Sequence, residues 1–592
     1  MELSSPRVQL NFKNFFLLSL GVLLSIFSNS QNPPSIQYLM DSGFKNENNF
    51  SICASLEADS LYLGQSNYLE LGDTGMHIFQ IDKWGSLPWD NYYSHSQYDL
   101  QGYHLSTQKG TSDGKWALVT GEVHLGGRRE LLVLRLNSAS GAIQNSLKYR
   151  IDPMGSHSVY SDYDLIGQNI IYDASQDAYF VTGHLVDSIN IPSQIPDHRE
   201  DIDKLGFVMK LDDAFNVVWA IGINSEFCCE ENGASNPRCP PISNFGGVGC
   251  NFCTELSDSN IYDHDFDMAE SILPLKDDRL FVTGTSNTSK IIGGATGGTC
   301  NAYWAVDAGV LAMFLDDSCL SVGSCPTNKA YKDRSFTFEG ENSSGHYNSG
   351  AKALYHPNKD LLYLLNNSSK GTPFRTTLIR KASTNTPLLP DSSLNLAFDF
   401  DSISDDPVAA FDMKWSGSKY SQFVTIGGLF VERDLNSSSQ KHSFPFLAKI
   451  NAVKDTLVWF RYYEVLSKDY GNHPDFDSIY YHPFHRYYAV GSSWNSPTVS
   501  HDMMIKRGND LGYTLIAPSH QPPSGSWDPA IVQVDKDGEE LFDCGITRTM
   551  TPSLTKSEVY RNAKADVIRL DIVKSPISVT INNANVLIED CD

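Results

Sequence analysis

The segment Phe180-Val181-Thr182-Gly183, followed by Val208-Met209-Lys210-Leu211-Asp212 and Val217-Val218-Trp219, decides the fold class of this 592-residue chain. The first piece is a β-prone run that ends in glycine. In the second piece apolar and polar residues alternate with a period of two, which places one face of a strand in a core. Its Asp is a typical first residue of a turn. The three pieces therefore predict consecutive antiparallel strands joined by turns.

Variants of this segment recur along the chain, each preceded by an aromatic residue with a small polar residue after it. Seven such aromatic pairs occur: Phe50-Ser51, Tyr98-Asp99, Tyr163-Asp164, Phe266-Asp267, Tyr347-Asn348, Phe411-Asp412 and Phe476-Asp477. The runs that end in glycine follow six of them: Leu61 to Gly64, Leu118 to Gly121, Phe180 to Gly183, Phe281 to Gly284, Val424 to Gly427 and Tyr488 to Gly491. The fifth copy has Leu364-Leu365-Asn366 instead. Such recurrence in a fixed order is the signature of a repeat architecture.

Each unit offers four strands, and no stretch between them has helical periodicity of useful length. Four-stranded units without intervening helices predict an all-β fold, a seven-bladed β-propeller of four-stranded antiparallel blades over residues 31–548. A row of immunoglobulin-like sandwiches needs about 100 residues per unit, and a β-solenoid needs shorter, more regular repeats. Both alternatives fit the spacing less well.

Three segments depart from the repeat. Residues 224–262 form a Cys-rich insertion, and residues 492–527 form an insertion rich in Pro, Ser and Gly. Residues 549–592 are expected to be a C-terminal β tail or the start of a further module. Apolar and polar residues alternate over 577–588 around Asn582-Asn583, which is typical of a terminal hairpin.

The N-terminal residues 1–30 indicate export. Arg7 and Lys13 precede an apolar run over 15–27, and small residues follow at 28–30, as in a signal peptide. The run is shorter than the roughly 20 apolar residues of a membrane-spanning helix. We therefore expect a secreted or cell-surface protein with no transmembrane segment in the mature chain. The formal charge of −25 argues against a nucleic-acid partner, because phosphate contacts need clustered Lys and Arg.

Cysteines in an exported chain are typical of disulfide bonds. Of the 11 cysteines, eight disulfide candidates fall in one stretch: Cys228, Cys229, Cys239, Cys250, Cys253, Cys300, Cys319 and Cys325. Zinc is the competing interpretation, since Cys250 and Cys253 have the C-x-x-C spacing, although no second well-spaced pair follows.

The runs at Phe180 to Gly183, Val208 to Trp219 and Phe281 to Gly284 resemble the repeats of secreted propeller proteins of Bacteroidetes-type bacteria. The resemblance covers residues 46–548 and implies the propeller architecture. Such proteins often end in a sorting module for surface attachment, which this chain does not show before Cys591-Asp592. No catalytic residue follows from the resemblance, because the group shares no active-site motif.

The loops that enter the first strand of each blade carry the candidate site. In a propeller these loops lie at one end of the central channel, where a ligand meets the ring. Histidine and aspartate side chains are ordinary ligands of divalent metals, so these residues predict a polar channel mouth. The candidates are His95, Asp99, His264, Asp265, Asp267, His346, His473, Asp475 and Asp477. The alternative is structural: an aromatic that packs between blades, with an Asp that binds the backbone of its own loop, recurs in every blade for that reason.

The sequence contains no catalytic set that we recognise. Asp535-Lys536-Asp537-Gly538 resembles the opening of a calcium loop but lacks the Glu at the required position, so a hairpin turn is expected there. We expect no cofactor, with a divalent metal at the channel mouth as the alternative.

The preferred function is a non-enzymatic propeller that binds a protein or glycan partner. The alternatives are a propeller enzyme, a metal-assisted hydrolase or lyase that uses the His and Asp residues of the channel mouth, and an architectural spacer of a surface protein.

Overall fold

The computed structural model describes most strands and short turns of the chain. The described residues are 37–41, 48–54, 61–70, 73–82, 86–108, 116–125, 127–155, 162–186, 204–225, 266–276, 278–296, 299–322, 335–337, 346–356, 361–370, 374–381, 395–399, 408–416, 422–433, 441–454, 456–463, 479–482, 485–489, 504–506, 512–521, 526–539, 547–550, 553–557, 560–563, 565–583 and 587–589. This part is nearly all β-strand in antiparallel sheets, as predicted, with one short helix.

The first three sheets each take four consecutive strands of the chain. The bounds, after an N-terminal strand β1 (Gln37–Asp41), are β2 (Asn48–Ala54), β3 (Leu61–Glu70), β4 (Asp73–Asp82) and β5 (Trp89–Ser94) in sheet 1; β6 (Asp99–Gln108), β7 (Trp116–Leu125), β8 (Arg128–Asn137) and β9 (Ile143–Ile151) in sheet 2; and β10 (Asp164–Asp173), β11 (Ala178–Val186), β12 (Lys204–Leu211) and β13 (Val217–Ser225) in sheet 3.

The next three sheets repeat this arrangement. Their bounds are β14 (Phe266–Pro274), β15 (Arg279–Thr296), β16 (Thr299–Asp316), helix α1 (Asp317–Val322) and β17 (Ser335–Thr337) in sheet 4; β18 (His346–His356), β19 (Leu361–Lys370), β20 (Phe374–Lys381) and β21 (Asn395–Asp399) in sheet 5; and β22 (Val408–Ser416), β23 (Phe423–Arg433), β24 (Lys441–Asn451) and β25 (Thr456–Tyr463) in sheet 6. One parallel residue pair, Lys204 with Phe266, connects sheet 3 to sheet 4.

Sheet 7 contains strands from both ends of the chain. Its first two strands are not the ones predicted for the seventh repeat. Within the described residues, the strands β26 (Ile479–His482) and β27 (His485–Ala489) form a two-stranded sheet of their own and are not hydrogen-bonded to a strand of sheet 7. Sheet 7 instead contains β28 (Met504–Lys506), β29 (Tyr513–Gln521) and β30 (Ser526–Val534), and β1 is its fourth strand. Strands β28 and β29 and the first two residues of β30 therefore lie within the predicted insertion at 492–527. Prolines suggested a loop there, but Pro518 lies within the β29–β30 pairing, opposite Pro529.

The C-terminal tail adds one outer strand to every sheet. The tail strands are β31 (Thr547–Met550), β32 (Ser553–Ser557), β33 (Tyr560–Ala563), β34 (Ala565–Arg569), β35 (Ile572–Pro576), β36 (Thr580–Asn583) and β37 (Leu587–Glu589). They join sheets 6, 5, 4, 3, 2, 1 and 7 in that order, against the direction of the chain. The hairpin predicted around Asn582-Asn583 is wrong, because both residues lie in β36 and pair with β5.

Each described hydrophobic cluster is shared by two consecutive sheets. In the middle strand β11, Tyr179 and Val181 pack into the cluster with sheet 2, whereas Phe180 packs into the cluster with sheet 4. Alternate residues of a strand point to opposite faces, so sheet 3 is buried on both sides. This explains why the run that ends in glycine lacks the alternation of apolar and polar residues seen in a half-exposed strand, since a strand buried on both faces has no solvent side.

The repeated glycine of the second strand lies opposite a β-bulge in the first strand. In sheets 2 and 3 the pairing shifts register after Gly102 and Gly167, and these residues lie opposite Gly121 and Gly183. A Cβ on Gly121 would stand 1.8 Å from the carbonyl oxygen of Gln101. Glycine is therefore required at this position by space, because a bulge pushes a carbonyl toward its partner strand.

The first strands form a closed series of contacts. Each first strand lies against the first strand of the next sheet, in the order β2, β6, β10, β14, β18, β22 and β28, and β28 lies against β2.

Candidate functional site

One end of the sheets carries the predicted site residues, and we call it the upper end. Here the first strand begins, the second strand ends and the third begins, as shown by the pairs Asp99 with His124 and Leu125 with Arg128 in sheet 2. Because the strands are antiparallel, connections between consecutive sheets reach this same end. The turns between third and fourth strands lie at the opposite, lower end.

Asp99 and Asp164 bind the preceding sheet. The backbone N–H of Thr74, in the third strand of sheet 1, donates to Oδ1 of Asp99 at 3.2 Å. One sheet further on, the backbone N–H of Arg129 donates to Oδ1 of Asp164 at 2.8 Å, and its Nε donates to Oδ2 at 2.9 Å. In both copies the Asp connects two sheets, whereas the structural alternative placed its partner in its own loop.

A buried charged cluster surrounds Asp164. Glu122 is 4 % exposed, and its Oε2 lies 3.7 Å from the guanidinium of Arg129. Burial raises the pKa of the Glu122 carboxyl, while the charges of Arg129 and His124 act in the opposite direction. The pKa of Arg129 is raised, because its two carboxylate neighbours outweigh the effect of burial. The cluster binds sheet 2 to sheet 3 and holds Arg129 in a fixed position.

His95 stacks on Tyr98, with ring centroids 4.2 Å apart. Its Nδ1 accepts the backbone N–H of Gln97 at 3.0 Å. Partial burial and the nearby charge of Lys148 lower the pKa of His95. This histidine is therefore held in its own loop. The carboxylate of Asp99 lies 3.9 Å from His124, a residue that the sequence analysis did not select.

The other predicted residues are described only partly or not at all. His346 is the first residue of β18 and Asp267 the second of β14, both at the upper end of their sheets. The residues outside the described part are His264, Asp265, His473, Asp475 and Asp477. Ligand binding by these residues stays a prediction. Sheet 7 begins at β28, so 473–477 precede the separate β26–β27 pair.

The aromatic pairs occupy two structural positions rather than one. Tyr98-Asp99 and Tyr163-Asp164 stand where the first strand begins. Phe411-Asp412 instead lies at the bulge, where the pairing shifts register between Ala410 and Asp412. A two-residue pattern is too short to distinguish these positions.

Polar residues follow the bulge in five consecutive first strands, which the sequence analysis missed. The set is His104, Asn169, Ser271, Lys352 and Asp412. His104 Nδ1 accepts the backbone N–H of Ile170 in the next sheet at 3.2 Å, and Lys352 Nζ lies 3.5 Å from Asp412. Two of these side chains thus connect neighbouring first strands. Only the register of the bulge identifies the set, because the residue types differ.

The Asp535 segment forms the hairpin turn expected from its sequence. Gly538 has a φ of 78°, in the left-handed region, and Oδ1 of Asp535 accepts the backbone N–H groups of Asp537 and Glu539. Among the residues that the structure describes, no group of three or more His, Cys, Asp or Glu side chains is arranged to hold a metal.

The most extended structure at the upper end belongs to sheet 4. The strands β15 and β16 have 18 residues each and pair out to Thr296 and Thr299, whereas the pairing of β14 with β15 ends at Asn287. Residues 288–296 and 299–307 therefore form a two-stranded ribbon beyond the sheet, which we call the arm. At about 3.3 Å per residue it extends roughly 30 Å. The two longest connections between sheets, 226–265 and 464–503, also start and end at the upper end.

No family model matches the chain, and no curated protein is significantly similar to it. Within the described residues, no helix has the length and apolar character needed to cross a membrane.

Proposed function

We propose that the protein is a secreted or surface-displayed seven-bladed β-propeller that binds a protein or glycan partner at its upper end, without catalysis. The ring is supported by the closed series of first-strand contacts from β2 through β28 and back to β2. It is supported further by the burial of sheet 3 on both faces, which a blade between two neighbours requires.

The observation that carries the binding function is the unequal elaboration of the two ends. The arm and the two connections of 40 residues, 226–265 and 464–503, share the upper end, whereas the longest lower-end connection, 317–334, has 18 residues and turns such as 138–142 and 212–216 have five. Binding residues are found preferentially on loops that a rigid scaffold holds in place.

The upper-end carboxylates favour binding over metal-assisted catalysis. Both oxygens of Asp164 accept hydrogen bonds from Arg129, and one oxygen of Asp99 accepts a bond from Thr74. In these two copies the repeated Asp serves cohesion between sheets. A recurrent structural role explains its recurrence without a ligand.

A shortened arm tests the proposal. Residues 290–305 are replaced by Asn-Gly, which joins Ser289 to Val306 through a hairpin turn. The matched control shortens the lower-end connection 382–394 to four residues. The purified proteins are compared on a glycan array and in pull-downs from extracellular-matrix extract.

We expect the intact chain and the control to bind the same partner, and the arm variant to lose at least about tenfold in affinity, which is about 1.4 kcal/mol. Equal loss in both variants contradicts an upper-end site. Stoichiometric metal in the purified chain that is lost with His264→Ala would favour the enzyme instead.

A further inference from the structure

The C-terminal tail differs from the rest of the chain in its path. Residues 547–589 visit all seven sheets in reverse order, and each tail strand has only three to five residues. Strands this short are marginal by themselves and need their neighbours to form. The tail strands therefore depend on pairing with sheets that the rest of the chain builds.

The links between tail strands fill the boundaries between sheets. Leu570, in the two-residue link from β34 to β35, is 3 % exposed and belongs to the cluster shared by sheets 2 and 3. Its N–H donates to the carbonyl of Ala220 in sheet 3, at 2.9 Å. The carbonyl of the next residue, Asp571, accepts the N–H of Asp152 at the end of sheet 2, at 2.8 Å. One link thus holds two sheets together.

The following link repeats this arrangement. Ile577 is 7 % exposed and packs into the cluster shared by sheets 1 and 2, and its N–H donates to the carbonyl of Ser146. Between the two links, Nζ of Lys574 reaches from sheet 2 to the carbonyl of Ala214 in sheet 3, at 2.9 Å.

The last tail strand covers the strand that closes the ring. In sheet 7, β1 pairs with β30 through Gln37, Tyr38 and Leu39, and with β37 through Leu39, Met40 and Asp41. The closing strand is therefore held between two partners, and one of them is the end of the tail.

We propose that residues 547–589 are a strap that fastens the ring, so that a weakened link far from sheet 7 loosens the closing strand β1. This inference rests on the ring arrangement proposed above. The strands of the strap depend on one another because each link holds the next strand at high local concentration beside its sheet. When a link loses its anchor, the following strands detach more often.

Hydrogen exchange of the full chain tests the strap. Ile577→Ala removes the anchor between β35 and β36, and the matched control is Ile581→Ala, four residues further on, where the side chain is 36 % exposed. Exchange is followed at residues 143–151, which adjoin the anchor, and at residues 37–41, the closing strand. We expect Ile577→Ala to raise the exchange rate at both sites, by at least about tenfold at 37–41, and Ile581→Ala to change neither.

Faster exchange at 143–151 with unchanged exchange at 37–41 would mean that the tail strands act independently, and it would overturn the strap. If that result comes with a seven-sheet ring in electron micrographs, the strap fails and the ring stands. A chain ending at Val586 serves where Ile577→Ala does not fold. It lacks β37 alone, and we expect faster exchange at 37–41, whereas unchanged exchange there also overturns the strap.

Discussion

At the scale of single residues, the repeated residues serve two kinds of contact. Gly121 and Gly183 give space to a carbonyl of the neighbouring strand in their own sheet. Asp99 and Asp164 bind the backbone of the preceding sheet. These residues recur because the same bulge and the same boundary between sheets recur.

Alanine at Gly121 tests the bulge. The new Cβ would overlap the carbonyl of Gln101, so the strands must separate, and we expect a loss of stability of about 1–3 kcal/mol or more. Gly222→Ala is the control, because its nearest neighbour, Leu570, lies 3.6 Å from the added Cβ. Urea unfolding curves measure both. Equal midpoints for the two variants would contradict the account of the glycine.

Removal of Asp164 tests the cohesion between sheets. This carboxylate is 1 % exposed, and Asp164→Ala leaves Arg129 partly uncompensated, at a cost of about 3–5 kcal/mol. Asp162, which is 66 % exposed, pairs with Arg128 at 2.8 Å. We expect Asp162→Ala to cost under about 1 kcal/mol, because solvent screens an exposed pair. Thermal unfolding compares the two variants, and an equally small effect of both would contradict the role of Asp164 in cohesion between sheets.

Glu122 predicts a pH dependence. Burial raises the pKa of this carboxyl in the folded chain, so between its unfolded and folded pKa values the folded state binds more protons. The stability contributed by the neutral form is present below the unfolded value of about 4.3 and is lost as pH rises through the folded pKa. We expect Glu122→Gln to gain stability relative to the native chain as pH rises. Urea unfolding midpoints of both proteins, measured from below the unfolded pKa to above the folded pKa, test this expectation. A difference between the two midpoints that does not change with pH would contradict it.

At the scale of elements, tyrosines of the fourth strands form hydrogen bonds to the next sheet. The hydroxyls of Tyr93, Tyr149 and Tyr463 donate to the carbonyls of Gly141, Phe215 and Gly538, at 2.6, 2.9 and 2.9 Å. Each acceptor belongs to a residue with positive φ in the lower-end turn of the following sheet. The same hydrogen bond between a tyrosine and a turn residue therefore recurs at three boundaries between sheets.

Phenylalanine substitutions measure how much this hydrogen bond contributes to stability. Tyr149→Phe keeps the ring in its cluster but leaves the carbonyl of Phe215 without its donor, and we expect a loss of about 0.5–1.5 kcal/mol. Tyr172→Phe is the control, since its hydroxyl bonds to Asp177 at the exposed surface. The two variants are compared by thermal unfolding. An equal loss of stability in both would mean that the buried hydroxyl of Tyr149 contributes no more than the exposed hydroxyl of Tyr172.

The sequence predicts the elements well where burial imposes a period, and poorly elsewhere. The apolar run of β11 and the alternating run of β12 are recognisable because each residue's face is fixed by a buried neighbour. A β tail over 549–592 is among the predictions, but the pairing of its strands with all seven sheets is not predicted, because short segments that pair through the backbone leave little side-chain pattern. Sheet 7 is misassigned because β26 and β27 carry a β-prone run that ends in glycine yet lie outside the sheet.

The candidate site is predicted only in its location. The upper end can be read from the order of strands, and Asp99, His346 and Asp267 do stand there. The partners of Asp99 and Asp164 cannot be read, because a carboxylate that binds a ligand and one that binds a neighbouring sheet occupy the same place in the repeat. The polar set after the bulge, such as His104 and Asp412, depends on a register shift that has no sequence signature.

At the scale of the whole molecule, both ends of the chain meet in one sheet. The N-terminal strand β1 lies between β30, from the last repeat, and β37, the last strand of the tail. In the ring proposed above, this closure leaves no first or last repeat with an exposed face. The proposed ring, the proposed upper-end site and the proposed strap all depend on sheet 7.

A crystal structure of the chain from Gln31 onward tests this arrangement most directly, at the boundary between sheets 1 and 7. We expect seven radial sheets, with Gln37 of β1 opposite Val532 of β30 and the strand β2 against β28. Separate sandwiches, or an open row in which β1 pairs elsewhere and β2 lies far from β28, would contradict it.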